Sequence, residues 1–213
     1  MCIRDSSSAG WFESGLSGAA DVVWMKRVNT TGHTVMWHKN LTDQDGGILM
    51  NSNGIQDGLA GAGNNWGGSS GDGDPNVGHG RGGNPKIGTG TWSDSGGTTG
   101  TYVCYAWKGV AGVSSFGGYA GGTYNTNTSA CGFKPRLIII KLIDVATAAW
   151  NITDTFRGYT AYGGSGNYMY WNGTSQEDAN SNYGVEPVTN GFHLGGSDTI
   201  NGSGKNYIYL AFA

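Results

Sequence analysis

Arg136-Leu-Ile-Ile-Ile-Lys141 is apolar at all four interior positions. A strand with one wet face alternates apolar and polar side chains, so this unbroken run predicts a central strand covered on both faces. Asp21-Val-Val-Trp-Met-Lys26 stands 115 positions earlier in the same form, an apolar run closed by lysine. Farther out, Tyr102-Val-Cys-Tyr-Ala-Trp107 returns as Tyr207-Ile-Tyr-Leu-Ala-Phe212. Such recurrence predicts two copies of a unit of about a hundred residues, each with its own central strand. The division that follows is a first unit over 7–112, shortened at its start, and a second over 113–213. Residues 1–6, Met1-Cys-Ile-Arg-Asp-Ser6, resemble a translated adaptor of the kind found at the ends of assembled metagenomic reading frames and are left out of the fold.

Further short apolar or aromatic segments bounded by Gly, Asn and Ser read as strands: 34–37, 48–50, 149–153, 168–171 and 192–194. The best helical candidate, Ser175-Gln-Glu-Asp-Ala179, would make only a turn or two. Without helical crossovers the strands must pair antiparallel. The expected fold class is all-β, as two tandem antiparallel β-sandwich units of jelly-roll or lectin-like form.

Glycine supplies 41 of the 213 residues against 4 prolines, with no triplet period, so collagen is excluded and most of the glycines are assigned to turns. That loading is tolerated best where neighbouring chains add burial, so self-association is expected. Net charge is −3 and 13% of residues are charged, too little cation for phosphate neutralisation; nucleic acid is not an expected partner. Apolar runs end far short of a bilayer span and no secretory signal opens the chain, so no membrane partner is expected. Of the three cysteines, Cys104 lies mid-strand and reads as a small buried hydrophobe in preference to a disulfide with Cys131.

Several chemical motifs fail on context. Gly78-His-Gly-Arg-Gly-Gly83 has the dinucleotide spacing without the strand and helix that give it meaning, and Gly202-Ser-Gly-Lys205 lacks the rest of a phosphate loop. Asp43-Gln-Asp45 and Asp72-Gly-Asp74 carry too few further acids for a calcium loop and read as turns. His33, His38, His79 and His193 show no metal-ligand spacing and read as partly exposed strand histidines. Glu177 and Glu186, the only glutamates beyond Glu13, flank a loop and read as solvated carboxylates ahead of a glycosidase pair. No cofactor and no catalytic residues are expected. Six Asn-x-Ser/Thr triplets, at Asn29, Asn40, Asn127, Asn151, Asn172 and Asn201, follow from composition and are not read as glycosylated.

Aromatics are the positive signal: 8 Trp and 11 Tyr among abundant Gly, Ser, Thr and Asn make the mixture recognition surfaces use. Tyr168-Met-Tyr170-Trp171 followed by Asn172 reads either as a stacking platform for a sugar ring or as cross-strand core packing. A glycine-rich excursion within 51–100 of the first unit carries Trp66 and Trp92, and long excursions in compact domains serve binding. The candidate ligand residues are therefore Trp66, Trp92, Tyr168, Tyr170, Trp171 and Asn172, with glycan as ligand.

Gly132-Phe-Lys-Pro-Arg-Leu-Ile-Ile-Ile-Lys141, with Phe116-Gly-Gly-Tyr119 before it and Asp154-Thr-Phe-Arg-Gly158, Gly191-Phe-His-Leu-Gly195 and the 207–212 segment after it, resembles an uncharacterised repeat family of tailed-phage and marine metagenomic virion-associated, tail-fibre-like proteins. The likeness covers the second unit fully and the first in part. It implies a non-enzymatic structural or host-recognition role in a virion, with surface glycan, other virion subunits or further copies of the chain as partners. A carbohydrate-binding module of a bacterial extracellular protein is the alternative.

Overall fold

The computed structural model describes residues 2–6, 10–29, 31–42, 47–54, 86–89, 100–122, 128–146, 148–157, 166–180 and 184–213. The chain forms two compact units, Met1–Asn51 with Gln56–Lys108, and Ser52–Ile55 with Gly109–Ala213. In the first lie β1 (Cys2–Ser6), β2 (Gly10–Glu13), β3 (Val22–Arg27), β4 (Thr34–His38), β5 (Ile48–Leu49), β6 (Lys86–Thr89) and β7 (Gly100–Trp107). In the second lie β8 (Ser114–Ala120), β9 (Thr128–Ala130), β10 (Leu137–Leu142), β11 (Asn151–Asp154), β12 (Gly166–Tyr170), β13 (Asp178–Asn180), β14 (Val185–Val188), β15 (Gly191–Leu194), one helical turn α1 (Asp198–Asn201) and β16 (Asn206–Phe212). The fold is all-β, and every pairing among the described residues is antiparallel.

The larger sheet of the first unit runs β1-β7-β3-β4-β5, and that of the second runs β13-β12-β11-β10-β16-β8. Both apolar runs are interior strands, as their sequence requires. Val22, Val23 and Met25 are buried in β3, and Ile138 to Leu142 are buried throughout β10. The ladders share one register. Val22 faces Trp107 as Leu137 faces Phe212, and Val23 faces Trp37 as Ile138 faces Thr153. Met36 faces Ile48 as Ile152 faces Met169, and Cys2 faces Cys104 as Gly117 faces Tyr209. Even the smaller sheets agree, with Phe12 opposite Ile87 and Ser129 opposite Phe192. Loop bonds repeat too: Lys39 N donates to Asp21 O and Thr155 N to Arg136 O, each at 2.9 Å. Gly15 and Gly132, with φ of 73° and 86°, take the same left-handed turn ahead of each central strand.

Cys2–Ser6, left out on sequence grounds, is a strand in the place that β8 takes in the second unit. The helical candidate 175–179 is not helical; its last two residues begin β13, and the helical turn lies at 198–201, opened by Ser197 Oγ accepting from Thr199 N. Some glycines lie within strands. Gly117 sits mid-strand because a Cβ there would lie 2.5 Å from Tyr209 Oη, so the facing ring occupies the space.

In the second unit, Ile138, Ile140 and Leu142 of β10 and Tyr207, Tyr209 and Ala211 of β16 pack on Val185, Phe192 and Leu194 of the β14-β15-β9 sheet, with Ile200 of α1. Much of the aromatic content is spent here. Tyr119 and Tyr207 stack at 5.0 Å, and their hydroxyls donate to Ile200 O and Asp198 O. Burial pushes the Tyr207 phenol up to about 12, with Asp198 and Asp144 adding to it against the opposing Gly202 N–H. Cys104 and Cys131 are free thiols, Cys104 buried in β7. Among the described residues no helix is long and apolar enough to cross a membrane.

Candidate functional site

The candidate residues that the structure describes belong to the β11–β12 hairpin and the turn after it. Asn151 faces Tyr170 and Ile152 faces Met169, so alternation puts Asn151, Thr153, Tyr168 and Tyr170 on one face and Ile152, Asp154 and Met169 on the other. Tyr168 is buried, donates its hydroxyl to Asp178 Oδ2 at 3.1 Å and meets Tyr170 edge-on with centroids 5.3 Å apart. It is a packed core tyrosine with a satisfied hydroxyl rather than an open platform. Tyr170 is half-buried, and Trp171 beside it is 43% exposed.

Asn172 is committed to the turn. Its Oδ1 accepts from Trp150 N at 2.9 Å, and its Nδ2 donates to Asn53 Oδ1. The first unit repeats the device, with Asn51 Oδ1 accepting from Thr34 N at 3.2 Å. This is an asparagine bridging a hairpin end, a structural duty. Trp66 and Trp92 lie outside the described residues, as do Asp43, Asp45, Asp72, Asp74, His79 and Gly78 to Gly83.

At the other end of β11, Asp154 Oδ1 accepts from Phe156 N and Arg157 N at 3.0 and 2.9 Å, and its Oδ2 pairs with Arg157 at 2.8 Å. Arg157 then reaches across Met169 Sδ to Glu177, 3.6 Å away. The Asp-x-x-Arg segment is thus a clamp over one face of the hairpin, and it presents Phe156 with 99% of its surface in water. Sequence reasoning missed Phe156; an aromatic inside an Asp-to-Gly turn was the available signal.

Glu177 and Glu186 have separate partners: Glu177 pairs with Arg157, while Glu186 lies 3.8 Å from His193 within the β14–β15 pair. His38, expected to be partly exposed, is fully buried, its Nδ1 accepting from Asn40 N at 3.1 Å. Among the described residues no group of His, Cys, Asp and Glu is arranged to hold a metal ion.

Two residues stand out on matching the units. Asn151 takes the place of Val35 and is 3% exposed, with neither side-chain oxygen nor nitrogen hydrogen-bonded among the described residues. Trp171 takes the place of Met50, which is buried. A sequon reading of Asn151 is excluded by the same burial.

Fold and hairpin define an all-β protein of antiparallel sheets. The whole length from residue 4 to 213, across both units, matches the family described as a domain of unknown function (DUF7483), and the chain belongs to that family. No curated protein and no solved structure matches it.

Proposed function

We propose that the chain is a tandem pair of β-sandwich units, jelly-roll or lectin-like, serving as a non-enzymatic structural or host-recognition domain of a phage virion, tail-fibre-like, that binds surface glycan or neighbouring subunits. The shared registers support the tandem reading, and the segments at 132–141, 154–158 and 207–212 carry the likeness to virion-associated repeats. One observation carries the recognition role: at a matched hairpin end the first unit buries Met50 while the second exposes Trp171. An indole offered to water next to Tyr170 has the form of a sugar-stacking group.

A glycan array probed with the intact protein and with Trp171→Ala tests this. At least one surface glycan is expected to bind, with the variant losing about tenfold or more in affinity. Absence of any glycan signal from the intact protein removes the recognition reading.

A further inference from the structure

We infer that the outer edge of β8 is a self-association surface, to which β8 of a second copy of this chain adds antiparallel, joining two six-stranded sheets into one. This deepens the neighbouring-subunit part of the reading above and does not depend on the glycan part. The ladder fixes where the backbone groups point. Ala213 N donates to Val113 O and Gly121 N to Lys205 O, so the odd-numbered residues from Val113 to Gly121 are the ones that bond β16. Phe116 and Gly118 therefore turn their N–H and C=O groups to the side on which no strand lies among the described residues. Ser114 points the same way, but Val110 takes its groups: Ser114 N donates to Val110 O at 2.9 Å and Val110 N to Ser114 O at 3.0 Å.

Outer strands offer such groups to any chain they meet, and proteins guard them with short length, charge or proline. The second unit guards its other edges. β13 has three residues and carries Asp178, β9 has three, and β14 holds Glu186 beside Pro187, which has no N–H to offer. β8 has seven residues, Ser114-Ser-Phe-Gly-Gly-Tyr-Ala120, with neither a charge nor a proline. Gly118 is exposed, and without a side chain it lets a second backbone come close. An identical strand fits this edge, because no charge on either copy opposes the meeting and an antiparallel pair of identical strands closes on a two-fold axis. With Phe116 of one copy opposite Gly118 of the other, the two residues exchange both hydrogen bonds, and the axis repeats the exchange. The register centred on Phe116 is barred, since it would set Gly118 against a Ser114 whose groups Val110 already uses. The strip is narrow, so the dimer is expected to be weak, with a dissociation constant on the order of 10–100 μM.

Sedimentation equilibrium on the full chain from about 5 to 500 μM, alongside thermal melts, tests the pairing in the wild type, Gly118→Pro and Ala120→Lys. Gly118→Pro removes an outward N–H that β16 does not use, and Ala120→Lys sets a charge at an exposed position of the strand. The wild type is expected to pass reversibly from monomer to dimer, and each variant to dimerise about tenfold or more weakly at an unchanged Tm. If Gly118→Pro does not fold, Ala120→Lys decides alone. A dimer that a folded variant forms as tightly as the wild type, or assembly beyond the dimer, overturns the β8 pairing and leaves self-association through another surface standing. A wild type that stays monomeric throughout overturns self-association as well, and neither result bears on the glycan array.

Discussion

The β4–β5 face of the first unit and the β11–β12 face of the second share a register and differ in chemistry. Val35, Trp37 and Leu49 on one become Asn151, Thr153 and Tyr170 on the other. Residues that agree between the units report what the fold needs, namely the central apolar strands, the turn asparagines Asn51 and Asn172, and the lysines Lys26 and Lys141. Residues that differ at matched places are free of that demand. The difference teaches where to look for function: at the exposed Trp171 rather than at the packed Tyr168 or the turn residue Asn172.

Exchanging the chemistries is the strongest way to break this comparison. Val35→Asn puts an amide where every matched neighbour is apolar, removing packed methyls and burying unsatisfied polar atoms. It is expected to cost about 4 kcal/mol in urea unfolding. A loss below about 1 kcal/mol would mean that the ladder tolerates a buried amide at either matched place.

How legible was this in sequence? Both central strands were, because an apolar residue at every position leaves no face for water. β8 was not: residues 114–120 were absent from the expected strands, and only the ring of Tyr209, distant in sequence, shows why a strand can hold glycine there. Asn151 was legible as part of a strand and invisible as an isolated buried amide, since its isolation depends on what lies across the sheet. The aromatic count overstated the recognition surface, because Tyr119, Tyr207 and Tyr209 are consumed by the second unit's core. Phe156 went unnoticed because exposure depends on how a turn is held, which the clamp of Asp154 and Arg157 settles in space.

The paired lysines sharpen the comparison through pH. Lys141 is fully buried, its Nζ donating to Leu142 O and Ala148 O at 2.9 Å, and burial pushes its ammonium down to about 8. Lys26 reaches Gly32 O, the matched carbonyl, but is half-buried. A lysine whose folded pKa is depressed leaves the unfolded chain holding more protons between about 8 and 10.5, so stability rises with pH across that window. The gap corresponds to about 3 kcal/mol. Tyr207 acts in the opposite sense, but its contribution is intact below the ordinary phenol pKa and lost only above it. Unfolding followed from about pH 7.5 to 9, below the range where the raised Cys131 thiol and Tyr207 phenol subtract from stability, should therefore show a rise in the wild type and in Lys26→Met, and a flat profile in Lys141→Met. A rise that survives in Lys141→Met would mean that its ammonium is not the group titrating.

The smallest effect concerns the turn asparagines, and it separates scaffold from site most finely. Asn172→Ala removes the acceptor for Trp150 N, and Asn51→Ala removes the one for Thr34 N. Each is expected to cost about 1 kcal/mol, the former slightly more because Trp150 is buried and its amide has less access to water than that of the half-buried Thr34. If Asn172 is scaffold, any glycan bound by the wild type should bind Asn172→Ala with unchanged affinity wherever the variant is folded, in contrast to Trp171→Ala. A variant that kept full stability while losing the glycan would transfer Asn172 from the shared frame to the recognition surface, and its likeness to Asn51 would then reflect geometry alone.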